Sequence, residues 1–231
     1  MLLLTGCGSK QVRMQALVPA PVPVLTAKRN VAVTDFSDDK VNLGAKIESN
    51  LASITLDQKN FFTVANRAQI NKILAEQKLQ SSDLSNGTKA AKVGKLIGAQ
   101  AIIGGSVSSS FEDGSYIEQR EKCVATNDAG KCVQTKTYAV TCPTSAANVS
   151  ANINVIDVET GSTIHAKSIT KNFTADGCKI SVLGGFATTD GEILRGSQAV
   201  NGLADNIANE FVEKLAPRYV SYNVELMEKV A

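Results

Sequence analysis

The sequence has no tryptophan, one histidine and few aromatic rings, 7 Phe and 4 Tyr among 231 residues. A lone histidine, His165, excludes any site that needs two imidazoles. So few rings argue against stacking platforms for bases and against the aromatic girdles of a large membrane barrel. Charge of one sign is also missing, because 24 Lys+Arg stand against 22 Asp+Glu. No broad basic field draws nucleic acid, and none is expected as a partner. No run of roughly 18 apolar residues offers a transmembrane helix. What is present is 43% hydrophobic residues, and a chain of this length can bury about 70% of its unfolded surface.

Five cysteines divide unevenly along the chain. Leu4-Thr5-Gly6-Cys7 has the form of a bacterial lipobox: an apolar residue, two small ones, then a cysteine that takes diacylglycerol and becomes the mature N-terminus. Only six residues precede Cys7, fewer than the basic region and roughly 7–15 apolar residues of a full signal. The expectation is a start codon placed too late, with residues 1–6 a signal remnant; otherwise this is an apolar leader with an incidental cysteine. Gly8 follows in place of the Asp that would retain a lipoprotein at the inner membrane, so the outer membrane is the expected address. Pro19, Pro21 and Pro23 make residues 7–29 read as a lipidated, polyproline-type tether.

Cys123, Cys132, Cys142 and Cys178 remain. They lack Cys-x-x-Cys spacing and have only His165 as an imidazole neighbour, so no metal is expected. An even number suits two disulfides in an oxidising compartment, with four reduced thiols as the alternative. Three pairings are possible; turn-forming Asn127-Asp128-Ala129-Gly130 favours Cys123–Cys132 and leaves Cys142–Cys178.

Periodicity gives the elements. Val31 to Phe36 reads as a strand, and Leu43, Ile47, Leu51 and Ile54 lie on one face of a helix. A short strand is expected at Phe61–Val64. Helices follow, one capped by Asn66 and one from Thr88 to Gly98, the latter with Lys89, Lys92 and Lys95 as a solvated ridge. Ala101 to Val107 is a buried strand whose Gly104 and Gly105 imply a bend or close packing. Ser108 to Asn148 is the least regular and most charged block, with strand character only near Gln134–Thr141. Val149 to Val155 alternates as a half-buried strand, and Glu159-Thr160-Gly161-Ser162 turns it into a return strand, Thr163–Phe173. Thr174 to Arg195 is a Gly-rich loop. A final helix carries Val200, Leu203, Ile207, Phe211 and Leu215, and Pro217 stops it. The fold class is therefore α/β (α+β), a mixed sheet flanked by helices with a disulfide-bearing β-hairpin insertion.

Catalytic chemistry finds no footing in this order of residues. Gly94-Lys95 lacks the glycine before it and the Ser or Thr after it that a phosphate loop needs. His165 sits in mid-strand without a nucleophile motif. Asp35, Asp38 and Asp39 sit where turn and capping chemistry explains them. No catalytic residue, cofactor or metal is expected.

Laid in order, these segments resemble the CsgG family of bacterial lipoproteins. The resemblance rests on Val31–Phe36, on Phe61–Arg67 leading into Ile70–Gln77, on Gly94–Val107, on Val155–Gly161, and on the lipobox and final helix. It implies a non-enzymatic, outer-membrane lipid-anchored protein facing the periplasm. Such a protein associates with copies of itself and with other envelope proteins in the assembly or curli-type export of a surface structure. The implied division is a CsgG-like periplasmic domain over 30–217 and a tail over 218–231. The same core resembles LpoB-type activators of peptidoglycan synthases, which is the alternative function. Two departures stand out. Six residues between Phe36 and Leu43 are too few for a long constriction loop, and the segments where membrane hairpins belong, 108–148 and 167–195, are too polar for a lipid-facing strand. The expectation is a periplasmic, disulfide-bearing member.

Overall fold

The computed structural model describes residues 11–80, 83–84, 86–178, 182–183, 186–187 and 193–225. In chain order the elements begin with β1 (Gln11–Val18), a 3-10 turn (Pro23–Leu25), β2 (Asn30–Val33) and α1 (Leu43–Ser53). A small hairpin of β3 (Thr55–Leu56) and β4 (Lys59–Asn60) leads to β5 (Thr63–Val64), α2 (Arg67–Glu76) and α3 (Gly87–Ile97). The long strands β6 (Ala101–Thr126), β7 (Cys132–Asp157) and β8 (Thr163–Asp176) follow. The short pair β9 (Val182–Leu183) and β10 (Phe186–Ala187), then α4 (Gly196–Val212) and β11 (Arg218–Glu225), complete the order. No helix among the described residues is long and apolar enough to cross a membrane.

Five strands form one mixed sheet in the order β5-β2-β6-β7-β8. Parallel pairing holds β5, β2 and β6, and antiparallel pairing holds β6, β7 and β8. Alternation along β2 sorts the two cores. Val31 and Val33 face α1 and α4, packing with Ile47, Leu51, Ile103, Ile207 and Phe211, whereas Ala32 faces α2 and α3 with Ile70, Val93, Ile102 and Ile156. Burial on both faces explains why Ala101–Val107 reads as a nearly continuous apolar run. Gly104 and Gly105 are required there: a Cβ at Gly104 would lie 2.5 Å from Thr34 Oγ1, and one at Gly105 1.9 Å from the Asn152 carbonyl oxygen.

Helix ends follow their sequence signals. Asn66 accepts from the Ala68 and Gln69 amides to start α2, and Asn86 accepts from Thr88 and Lys89 to start α3. Gly98, at φ 69°, ends α3 in the left-handed region. Asp39 accepts from the amides of Leu43 (2.8 Å) and Gly44 (3.0 Å), capping α1 in place of Asn42. The last helix stops at Val212, ahead of Pro217.

The block expected to be irregular is regular. β6 and β7 pair continuously from Ala101↔Asp157 out to Cys123↔Thr135, and irregularly from there to the tip. At 26 residues each, they are several times the usual strand length. Beyond Tyr116 both faces are exposed or half-buried, so the hairpin reaches roughly 35 Å past the body at about 3.3 Å per residue.

The ends of the chain also differ from the expected tether and tail. Gln11–Val18 pairs antiparallel with Arg218–Glu225, from Gln11↔Glu225 to Val18↔Arg218. Leu25, inside the Pro-rich stretch, is fully buried in the core beside α4. In the Gly-rich stretch 174–195, residues 179–181, 184–185 and 188–192 lie outside the described residues.

Candidate functional site

The projecting hairpin is the feature most distinct from a plain packed domain. Its tip is a tight loop in which Asn127 Oδ1 accepts from the amides of Ala129 (3.2 Å) and Lys131 (2.9 Å). Gly130 sits at φ 75°, a position that favours glycine. Directly behind the loop, Cys123 and Cys132 form a disulfide with S–S 2.07 Å. Further in, Cys142 of β7 is bonded to Cys178, just past β8, with S–S 1.98 Å. All four expected cysteines are thus in two bonds, one closing the hairpin and one joining it to the end of β8, while Cys7 lies outside the described residues.

A polar collar surrounds the inner disulfide. Tyr116 donates to the Asp176 carboxylate at 3.2 Å, and burial together with that carboxylate raises the Tyr116 pKa. Arg120 Nη2 donates to the Cys178 carbonyl at 3.1 Å, and its Nε reaches Glu118 at 3.4 Å. Asp113 Oδ1 accepts from the Gly196 amide at 2.9 Å, so a strand carboxylate caps α4. That hydrogen bond above all holds the Asp113 carboxyl below its ordinary value. The charges that made residues 108–148 look unlike a strand therefore tie the hairpin to α4 and to the end of β8.

Beyond the collar, neither face of the hairpin resembles a lipid-facing surface. One face carries Ile117, Gln119 and Glu121 opposite Thr141, Ala139 and Thr137; the other carries Glu118, Arg120 and Lys122 opposite Val140, Tyr138 and Lys136. Ile117 is 69% exposed. A strand surface with this mixture suits contact with water or with another protein, since charge on a lipid face is costly.

Other candidates fall to structural roles. Among the described residues, Glu118, Cys142 and Cys178 form a potential ligand cluster, but both sulfurs are spent in the disulfide. His165 is half-buried and stacks on Phe211 at 6.3 Å between centroids; burial, then Lys167 and Lys214, lowers its pKa. Asp35 pairs with Arg67 at 3.0 Å, and Asp39 caps α1. Lys89 of the expected basic ridge pairs with Asp83 at 2.6 Å. A cavity of 260 Å³ opens past the end of β2 and against the first residues of β6, among Thr34, Ser106, Asn152, Asn154 and Leu84. Its described lining holds no acid or base beside the hydroxyls.

Sequence reasoning missed the β1–β11 ribbon and the length of the hairpin. The first had a signal in the apolar alternation of Val12, Met14 and Ala16 and of Val220, Tyr222 and Val224. The second had none, because strands exposed on both faces carry no period-2 pattern.

The family described as curli production assembly/transport component CsgG matches residues 13–229. No curated protein matches the chain. Among solved structures, the C-terminal domain of LpoB from Salmonella enterica is 15% identical, covering 67% of this chain and 84% of that one at a TM-score of 0.33. A PelC dodecamer from Paraburkholderia phytofirmans is 14% identical, covering 90% of this chain and 99% of its own at a TM-score of 0.35. A second crystal form of a PelC dodecamer from the same organism is 14% identical, covering 88% and 94% at 0.31.

Proposed function

The chain belongs to the CsgG family, and from that premise we propose a non-enzymatic outer-membrane lipoprotein that works as a homo-oligomer in assembling or exporting a surface structure. The match over residues 13–229, nearly the whole chain, carries this reading. Two disulfides support an oxidising, periplasmic location. Cys7 is the proposed lipid attachment, and the paired, disulfide-braced hairpin is the surface offered to partners in the envelope. Its polar faces favour a periplasmic role for the hairpin over a place in a membrane barrel.

The rival role, an activator of a peptidoglycan synthase, calls for a long free tether. Gln11–Val18 is occupied in pairing with β11, which leaves little free chain after Cys7 and favours a membrane-proximal assembly component. Light scattering on detergent-extracted protein tests the proposal. A mass of many subunits is expected, and a strictly monomeric protein overturns the oligomeric reading. Cys7→Ser is expected to release the protein from membranes.

A further inference from the structure

Both faces of the β1–β11 ribbon are exposed, and one of them is the more apolar. Its register puts Val12, Met14 and Ala16 opposite Val224, Tyr222 and Val220 on one side, and Arg13 and Gln15 opposite Asn223 and Ser221 on the other, where the innermost pair, Leu17 and Tyr219, is apolar. Met14 is 55% exposed and Tyr222 48%. A lone two-stranded ribbon is marginal in water, and a contiguous apolar strip on it calls for a covering surface. Contacts at its inner end fix its direction: Tyr219 donates to Asp57 at 2.8 Å, and the Val22 amide donates to the Lys214 carbonyl at 3.0 Å. Gln11 and Glu225 therefore form the outer end, about 26 Å away along eight residues of strand.

Chain length identifies the cover. Residues 8–10 alone separate Cys7 from Gln11, a span of at most about 14 Å when fully extended. An acyl group on Cys7 thus holds Val12 and Met14, with their partners Val224 and Tyr222, within reach of the headgroup layer. Tyrosine suits that boundary, with its ring in the apolar zone and its hydroxyl in water.

We infer that the apolar face of the β1–β11 ribbon lies on the lipid surface beside the Cys7 anchor and sets the orientation of the body above the membrane. The inference rests on the lipid-anchor reading, and its test works without the anchor. The full chain carrying Cys7→Ser is sedimented with phosphatidylethanolamine–phosphatidylglycerol vesicles. Measurable partitioning is expected, falling about tenfold when Met14→Gln and Tyr222→Gln are added, which is about 1.4 kcal/mol for the pair. Gln15→Ala with Ser221→Ala, on the polar face, is expected to leave it within about twofold. Because the chain has no tryptophan, tyrosine emission is observable, and brominated lipid should quench it in the Cys7→Ser protein with the ribbon intact. Absence of both partitioning and quenching overturns the inference. So does a Met14/Tyr222 variant that loses oligomer mass while binding vesicles like its parent, which would make a second copy the cover. Mass spectrometry of the N-terminal peptide reads the anchor separately: a missing acyl group removes that reading and leaves the vesicle result to judge the ribbon.

Discussion

Removing the Cys142–Cys178 bond should destabilise the whole body, whereas removing Cys123–Cys132 should not. The inner bond closes a loop of sequence separation 36, for which the chain-entropy relation gives about 3.8 kcal/mol at 25 °C. With an unfolding entropy of ~2.1 cal/mol/K per residue over 231 residues, that corresponds to a fall in Tm of about 8 °C for Cys142→Ala with Cys178→Ala. Cys142 is completely buried and the loop spans the β7–β8 ladder, so the bond cannot open without disturbing the sheet. The outer bond has a separation of 9, and the same relation gives about 2.6 kcal/mol. Its stretch, however, touches no core, so the tip frays on its own and the main transition should move by less than about 2 °C. Protease cleavage between Lys122 and Lys131 should accelerate instead. Calorimetry of the two double variants, with mass spectrometry to confirm oxidation of the remaining pair, decides the matter. A reversed ranking, or a change under about 2 °C for the inner pair, refutes the reasoning.

His165 should titrate below its ordinary value of 6.5, and as the only histidine it gives one resolved proton resonance to follow. A depressed folded pKa means the unfolded chain binds the proton more readily, so stability should drop as pH falls below about 6.5; His165→Gln should flatten that drop. Glu210, held at a pKa of about 2 by Lys171 and then Lys214, contributes stability above pH 4.5 that is lost as pH falls toward 2. Glu210→Gln should remove this acid sensitivity and cost up to about 1 kcal/mol at neutral pH, the range of partly exposed ion pairs, read from urea midpoints. A Cβ at Gly94 would lie 2.2 Å from Val158 Cγ2, whereas one at Gly202 meets nothing within 4 Å. Gly94→Ala should therefore lose about 1 kcal/mol net despite better helix propensity, and Gly202→Ala should gain about 0.5–1 kcal/mol; equal shifts in the two midpoints would count against the packing argument.

The body was legible in the sequence where one side of an element faces a core. α1, α2, α3 and α4 were readable from spaced aliphatic residues, with Asn66 and Gly98 marking ends that the structure places where expected. The tight turns at Asn127–Gly130 and Glu159–Ser162 were also readable, because side-chain oxygens and left-handed glycines define them locally. The length and regularity of the outer hairpin were not. Glu118, Arg120 and Lys122 alternate with Ile117, Gln119 and Glu121, and no burial imposes a difference between the two sets. The β1–β11 pairing was hidden for another reason: its strands stand more than 190 positions apart, from Val18 to Arg218, and local pattern says nothing of such partners. Three prolines beside β1 drew attention to extension and away from pairing.

The cysteines are joined as neighbours in sequence, 123 with 132 and then 142 with 178, without interlacing. A chain that meets an oxidant from its N-terminus onward can therefore make each correct bond before the next pair of thiols arrives. Maturation then needs an oxidase but no isomerase to undo crossed bonds, because oxidation in order of emergence already gives the native connectivity.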